Sequence, residues 1–166
     1  EFTFSEAGGR LILGYHAERS FWRIVDLDDC LLMPEPAMAV LRDVRRLAAQ
    51  TNLPAYQLRT HQGFFRYALI RMSQATGNIL ACLITTPGVD DAGHPAHGPA
   101  RVMEALADEL IRCHPRLTSL YWGVTARVAD VAQPETLRLL RGSAYLEDRL
   151  GPFRLQLHPL SFLQPA

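Results

Sequence analysis

Short apolar runs and alternating apolar and polar positions predict β-strands along most of this sequence. The segments with this pattern are residues 1–5, 10–16, 21–27, 64–72, 79–86, 118–126, 136–141, 144–150 and 153–158. A Gly8-Gly9 pair separates the first two segments, and SQATGN separates the fourth from the fifth, so both pairs are predicted to form β-hairpins. We therefore expect all strands to be antiparallel or locally paired.

Two other segments place their apolar residues at the spacing of an α-helix. Residues 37–50 follow two prolines and align one apolar stripe, formed by Val40, Leu41, Val44, Leu47 and Ala48. Residues 100–113 precede His114-Pro115 and align a second stripe, formed by Met103, Leu106, Leu110 and Cys113. The whole pattern predicts an α+β fold, a single domain in which two main amphipathic helices cover antiparallel β-hairpins.

The net charge of the chain argues against one class of function but does not identify another. The 166 residues carry 17 basic and 17 acidic side chains, and all 17 basic side chains are arginine. Zero net charge gives no electrostatic reason to expect a self-sufficient nucleic-acid binder. The best local basic patch is formed by Arg42, Arg45 and Arg46 on the first predicted helix. These three are the candidates for RNA contact, and the alternative is that they only solvate the helix face.

The cysteines and the apolar runs favour a cytoplasmic location. Cys30, Cys82 and Cys113 are few and far apart, which indicates free thiols in a reducing compartment. Cys82 lies in a predicted strand and Cys113 on an apolar helix side, so both are predicted to be core thiols. No apolar run approaches the roughly 20 residues of a membrane helix, and the first residues lack the pattern of a signal peptide.

No residue spacing nominates a catalytic site. His94 and His97 lie near Asp90 and Asp91 in a Gly/Pro-rich loop and could share a metal ion, but a solvated loop is the preferred interpretation. Ser, His and Asp residues are scattered without the arrangement of a triad. We therefore predict no catalytic residue within this chain.

Five short motifs follow one another in an informative order. They are EFTF (1–4), LGYH (13–16), IVDLDDC (24–30), RYALIR (66–71) with TGN (76–78), and GPFRLQLHPLSFLQ (151–164). In this order they resemble the RNA uracil-5-methyltransferase family, and the resemblance covers essentially the whole chain. The last motif departs from the usual SFFQVN of the family, since SFLQPA stands here.

The resemblance implies a cytoplasmic, S-adenosylmethionine-dependent enzyme that methylates uracil in RNA, with 23S rRNA preferred over tRNA as the substrate. Residues 1–158 would form its central domain, and residues 159–166 would begin the connection to a cofactor-binding catalytic domain. An OB-like RNA-binding domain would precede the chain. The fragment alone would then contribute RNA contacts and a pocket wall, bind no cofactor and be inactive.

The resemblance also implies roles for three residues. Phe162 and Gln164 correspond to positions that line the pocket of the flipped uracil and the cofactor. Cys30 corresponds to the fourth ligand of a [4Fe–4S] cluster in the cluster-bearing members, whereas other members lack the cluster; an inert thiol after a strand is the open alternative. Two competing functions also stay open: a non-catalytic RNA-binding or assembly module, and an unrelated α+β interaction domain.

Overall fold

The computed structural model describes residues 1–88 and 98–161. These residues form β1 (Phe2–Ala7), β2 (Arg10–His16), β3 (Ile24–Asp26), α1 (Glu35–Gln50), β4 (Phe65–Met72), β5 (Ile79–Thr85), α2 (Gly98–Cys113), β6 (Leu117–Val124), β7 (Thr136–Gly142), β8 (Leu146–Leu150) and β9 (Phe153–Leu157). Neither described helix is long and apolar enough to cross a membrane. The α+β class and the single domain are confirmed, and the domain boundary at residue 158 stays a prediction.

One seven-stranded sheet dominates the fold. Its strands lie in the order β3-β2-β1-β4-β5-β6-β7, and β8 and β9 form a separate two-stranded sheet. The apolar stripes of α1 and α2 pack on one face of the large sheet, where they form the larger buried cluster. A second cluster on the sheet includes Leu146 and Leu157 of the small sheet. The small sheet therefore covers part of the face opposite the helices.

The strand β5 lies between these two covers and is buried along its whole length. Ile79, Ala81 and Leu83 belong to the cluster under the helices, while their alternating neighbours, among them Leu80 and Cys82, belong to the second cluster. Since side chains alternate between the faces of a strand, a continuous apolar run is what such a doubly covered strand requires.

The expectation of purely antiparallel pairing was wrong at one place. The two predicted hairpins are present, and Gly8 and Gly9 adopt φ angles of 56° and 73° in the turn between β1 and β2. However, β5 and β6 pair in parallel. The chain between them contains α2, and a helical crossover is the connection that returns a strand to the same starting edge.

The helix α1 begins two residues before the predicted start. Glu35 and Pro36 occupy its first turn after Pro34. A proline is tolerated there because the first amide groups of a helix have no acceptor within the helix. The two prolines therefore start the helix and do not merely precede it.

The strand β3 is shorter than its apolar pattern suggested. It contains only Ile24–Asp26, so Phe21 and Trp22 lie outside the sheet in the connection from β2. The backbones of β2 and β3 approach closely, because a Cβ atom added at Gly14 would lie 1.8 Å from the carbonyl oxygen of Val25. Glycine is therefore required at position 14 for this pairing.

Candidate functional site

A cleft of about 350 Å³ lies between the first strands of the sheet and three connecting segments, and we call it the aromatic cleft. Its lining residues are Thr3, Phe4, Ser5, Glu6, His16, Phe21, Trp22, Ile24, Tyr56, Gln57, Leu58, Arg59, Arg66, Tyr67 and Asp130. A neighbouring depression of about 730 Å³ shares Thr3, His16, Phe21, Tyr67 and Asp130 with it. The two therefore lie side by side and share part of one wall.

Two large aromatic side chains stand at the rim of the aromatic cleft. Phe21 is 80% exposed and its neighbour Trp22 is 59% exposed. The guanidinium carbon of Arg59 lies 5.2 Å from the centre of the Trp22 ring, within the range of a cation–π contact. Exposed aromatic surface combined with a cation is unusual for a purely structural loop and is typical of a binding surface.

The loop before β3 fixes the position of these two rings. The amide of Ala17 donates to the carbonyl of Arg23 at 2.7 Å, and the amide of Ser20 donates to the carbonyl of Ala17 at 3.0 Å. The amide of Arg23 in turn donates to the Ser20 hydroxyl at 3.1 Å. These bonds close the loop on itself, so that Phe21 and Trp22 project from a short, tied segment.

Arg66 organises the opposite wall. Its side chain is 2% exposed, and its two terminal nitrogens donate to the carbonyls of Arg127 and Ala129. The guanidinium carbon lies 4.1 Å from the ring centre of Tyr56 and 5.4 Å from that of Tyr67. Its Nε has no acceptor among the described residues. One arginine thus ties three segments together around the cleft.

The acidic side chains of the aromatic cleft are engaged by the protein itself. The Tyr67 hydroxyl donates to Asp130, and His16 Nε2 lies 4.0 Å from a carboxylate oxygen of the same aspartate. Glu6 accepts a hydrogen bond of 3.1 Å from the Ala55 amide. Burial, followed by the hydrogen bond to Asp130, raises the pKa of Tyr67 above its usual range. Tyr67 is therefore a neutral donor in this wall.

The residues predicted to line the substrate pocket follow directly after the last described residue, Ser161. Phe162 and Gln164 themselves lie outside the described residues. The preceding residue, Ser161, accepts a hydrogen bond of 2.6 Å through its carbonyl oxygen from Arg71 of β4. The chain therefore enters this last segment beside β4, and the pocket role of the two residues stays a prediction.

The three arginines predicted to contact RNA are held by carboxylates of the same chain. The pairs are Arg42–Glu35, Arg45–Asp26, Arg45–Asp28 and Arg46–Asp43. Burial would lower the pKa of Arg45, but the hydrogen bonds to Asp28 and Asp26 outweigh it and raise that pKa. RNA contact by these residues stays a prediction, and it requires the exchange of an ion-pair partner.

The cysteines lie in three different environments. Cys82 is buried in β5, as predicted, and Cys30 is half-buried against the core under the helices. The prediction of a core position for Cys113 was wrong, because this last residue of α2 is exposed and its sulfur lies 3.4 Å from Glu109. The buried stripe of α2 ends one turn earlier, at Leu110.

No metal site is present in the part of the chain that the structure describes, where no three His, Cys, Asp or Glu side chains are grouped to hold an ion. The loop residues Asp90, Asp91, His94 and His97 lie outside that part. The solvated-loop interpretation of these four therefore stays a prediction.

Sequence reasoning missed the aromatic cleft. The apolar pattern predicts a strand over Phe21 and Trp22, because this pair extends the apolar run of Ile24 and Val25. Tyr56 and Arg59 lie in the segment between α1 and β4, for which the sequence pattern predicts no helix or strand. The adjacency of aromatic and arginine residues in both segments was the available signal, but only the fold brings them together.

The chain is similar in sequence to proteins named RNA methyltransferases. No family model matches the chain. The chain is 28% identical over 159 residues to an RNA methyltransferase of Halalkalibacterium halodurans, covering 96% of this chain and 32% of that protein. It is 29% identical over 167 residues to an RNA methyltransferase of Clostridium tetani, covering 99% of this chain and 35% of that protein.

A tRNA (uracil(54)-C(5))-methyltransferase of Pyrococcus horikoshii is 22% identical over 152 residues, which are 92% of this chain and 33% of that enzyme. The fold matches the crystal structure of the Pyrococcus abyssi tRNA (uracil-54, C5)-methyltransferase in complex with S-adenosyl-L-homocysteine, with a TM-score of 0.65 and 18% identity. That match covers 97% of this chain and 35% of the other. The chain thus spans about a third of the length of these proteins and shares the fold of a segment of the Pyrococcus abyssi structure.

Proposed function

We propose that this chain is a segment of an S-adenosylmethionine-dependent RNA (uracil-5-)-methyltransferase, in which it supplies RNA contacts and part of the wall around the target base. The observation that carries the proposal is the similarity to RNA methyltransferases along 96% and 99% of the chain in the two bacterial relatives. The order of the five sequence motifs supports the same assignment, and the aromatic cleft supplies the kind of surface that RNA contact needs.

The chemistry of the reaction indicates which part of the work this segment does. Methylation of uracil at C5 needs a nucleophile that adds at C6 and a base that removes the C5 proton. These groups, and the site for the methyl donor, belong to the catalytic domain that the sequence resemblance implies. This chain holds the RNA strand so that the target uridine leaves its stack and reaches that domain. Alone it is inactive, and the intact enzyme works in the cytoplasm.

Phe162 and Gln164 connect this segment with that chemistry. A phenylalanine ring can stack on a base, and a carboxamide offers one donor and one acceptor group to the imide edge of uracil. In the intact enzyme, Gln164→Ala is expected to slow methylation more than about tenfold, which corresponds to roughly 1.4 kcal/mol of transition-state stabilisation.

An iron–sulfur cluster is not part of the proposal. Such a cluster needs several cysteine thiolates around it. Cys30 belongs to no group of metal-binding side chains within the described residues, while Cys82 lies inside β5 and Cys113 at the end of α2. The three cysteines of this chain do not form a cluster site by themselves, so no step depends on a cluster, and Cys30 as one ligand in a longer protein stays a prediction.

The RNA substrate has two candidates. The sequence resemblance favours 23S rRNA, whereas the relatives from the two Pyrococcus species are named for uracil 54 of tRNA. Because both substrates present a uridine that must leave its stack, the same segment can serve either. The choice between them is made by the experiment.

The intact protein that contains this chain is incubated with methyl-labelled S-adenosylmethionine and, in parallel, with tRNA or 23S rRNA transcripts. We expect 5-methyluridine in one of the two RNAs, identified by mass spectrometry of the nucleosides. A transcript whose uridines are already methylated at C5 is the control and should accept no label. Label on another nucleoside, or RNA binding without methyl transfer, contradicts the proposal; the second outcome favours a non-catalytic RNA-binding module.

A further inference from the structure

We propose that the aromatic cleft binds one unpaired base of a single-stranded RNA segment, which stacks on Trp22 while an adjacent phosphate lies at Arg59. This inference rests on the proposed function, because it names RNA as the ligand.

The rim of the cleft supplies the stacking surface. Trp22 is 59% exposed, and the preceding Phe21 is 80% exposed. Stacking of a base on an aromatic side chain contributes about 1–3 kcal/mol and tolerates any base, since each has a planar π face. Arg59 lies over one face of the Trp22 ring, and the exposure of both aromatic side chains leaves their remaining surface accessible to such a partner.

The charge at the rim selects a nucleic acid over an uncharged planar ligand. Arg59 is exposed, and its guanidinium carbon lies 5.2 Å from the Trp22 ring centre. A cation beside a stacking surface is the combination that single-strand binders use, because the phosphate next to the stacked base then meets a positive group. The two carboxylates of the cleft, those of Glu6 and Asp130, already accept hydrogen bonds from the protein.

The size of the cleft limits the ligand to about one nucleotide. Its volume of about 350 Å³ is at the lower end of small-ligand pockets. Hydroxyl and amide groups of Thr3, Ser5 and Gln57 line the same space and can hydrogen-bond a base edge. A paired base buries both faces in its helix, so only an unpaired one can enter.

The cleft is assembled before any ligand arrives. Arg66 ties the carbonyls of Arg127 and Ala129 to the Tyr56 wall, and the loop that carries Trp22 is closed by its own hydrogen bonds. Binding therefore orders few additional groups, which removes a cost that otherwise lowers affinity.

The test uses the 166-residue chain and a labelled single-stranded hexauridylate, with fluorescence anisotropy as the measure of affinity. Trp22→Ala is expected to weaken binding about fivefold or more, the effect of one lost stacking contact. Trp22→Phe retains a ring and should restore most of the affinity. Phe153→Ala is the matched control, because Phe153 is 68% exposed but lies on β9, outside the cleft.

Two further measurements locate the ligand. Bound RNA should quench the emission of Trp22, and the quenching should vanish in Trp22→Ala although Trp122 remains, since Trp122 hydrogen-bonds Thr85 and does not line the cleft. Arg59→Ala should reduce the slope of log affinity against log salt by about 0.7, the loss of one single-strand phosphate contact.

The site is wrong if Trp22→Ala and Phe153→Ala bind as the wild type does, if a duplex of the same length binds as tightly, or if the wild type binds no hexamer at all. If Arg59→Ala leaves the slope of log affinity against log salt unchanged, Arg59 does not contact a phosphate. Failure of the proposed function has a different signature: the intact protein makes no 5-methyluridine while RNA binding still depends on Trp22. Conversely, if Trp22→Ala methylates RNA with normal kinetics, the proposed function holds and the proposed role of the cleft in RNA binding is wrong.

Discussion

The guanidinium carbon of Arg66 lies 4.1 Å from the centre of the Tyr56 ring, so a residue of β4 contacts the segment that precedes this strand. Arg66 is the second residue of strand β4, and Tyr56 precedes that strand in a segment without regular structure. The contact holds one wall of the aromatic cleft against the sheet.

Arg66→Lys should destabilise the fold although it preserves the charge. Lysine has no planar fork, so it cannot donate to the carbonyls of Arg127 and Ala129 together. Buried carbonyls that lose a charged donor cost about 1–3 kcal/mol, and we expect the free energy of unfolding in urea to fall by that amount. Arg154→Lys on the exposed strand β9 is the matched control and should change it by less than about 0.5 kcal/mol. Equal stability of both variants would show that the fork of Arg66 is not needed.

The strands and helices were readable from the sequence because each has a local cause. The apolar stripe of α1 and the Gly8-Gly9 turn are set by neighbours a few residues away. The cleft is different, since its rim and its wall come from segments more than 30 residues apart, and Arg66 finds its acceptors 61 and 63 residues later. The parallel pairing of β5 and β6 is equally non-local.

Tyr67→Phe tests the hydrogen bond that links β4 to the segment after β6. The Tyr67 hydroxyl donates to Asp130, whose side chain is about one third exposed. Water can replace part of the lost bond, so we expect a loss of about 1 kcal/mol in the free energy of unfolding. Tyr145→Phe is the control, because Tyr145 is exposed, and its stability should stay within about 0.5 kcal/mol of the wild type.

The contribution of Tyr67 to stability should depend on pH in the alkaline range. Burial and the bond to Asp130 raise the pKa of native Tyr67, whereas the unfolded chain ionises this phenol near its ordinary value of about 10. A raised native pKa contributes stability that is complete below about pH 10 and is lost as the pH rises through the native value. The stability difference between wild type and Tyr67→Phe should therefore shrink above about pH 10. A constant difference from neutral to alkaline pH would contradict the raised pKa.

Gly14→Ala should separate β3 from the sheet and disturb the loop that carries Trp22. The added Cβ would lie 1.8 Å from the carbonyl oxygen of Val25, a backbone atom that cannot rotate away. We expect a loss of about 1–3 kcal/mol or more in the free energy of unfolding, together with a change in Trp22 emission. Gly98→Ala is the control, because a Cβ there meets no atom of the described residues within 4 Å. Unchanged stability and emission would show that β3 can shift without cost.

Thiol labelling distinguishes the two cysteines that the sequence pattern had placed together in the core. Burial raises the pKa of the Cys82 thiol to about 12, and this residue is enclosed between both covers of β5, so the native protein should present it neither as a thiolate nor to a reagent. Cys113 is exposed at the end of α2 and should react with iodoacetamide without unfolding. Mass spectrometry of peptides after short labelling at neutral pH measures both sites at once, and Cys113→Ser should remove the fast reaction while leaving the slow one. In denaturant, Cys82 should be labelled as fast as Cys113. Rapid labelling of Cys82 in the native chain would mean that the second buried cluster opens far more often than its packing predicts.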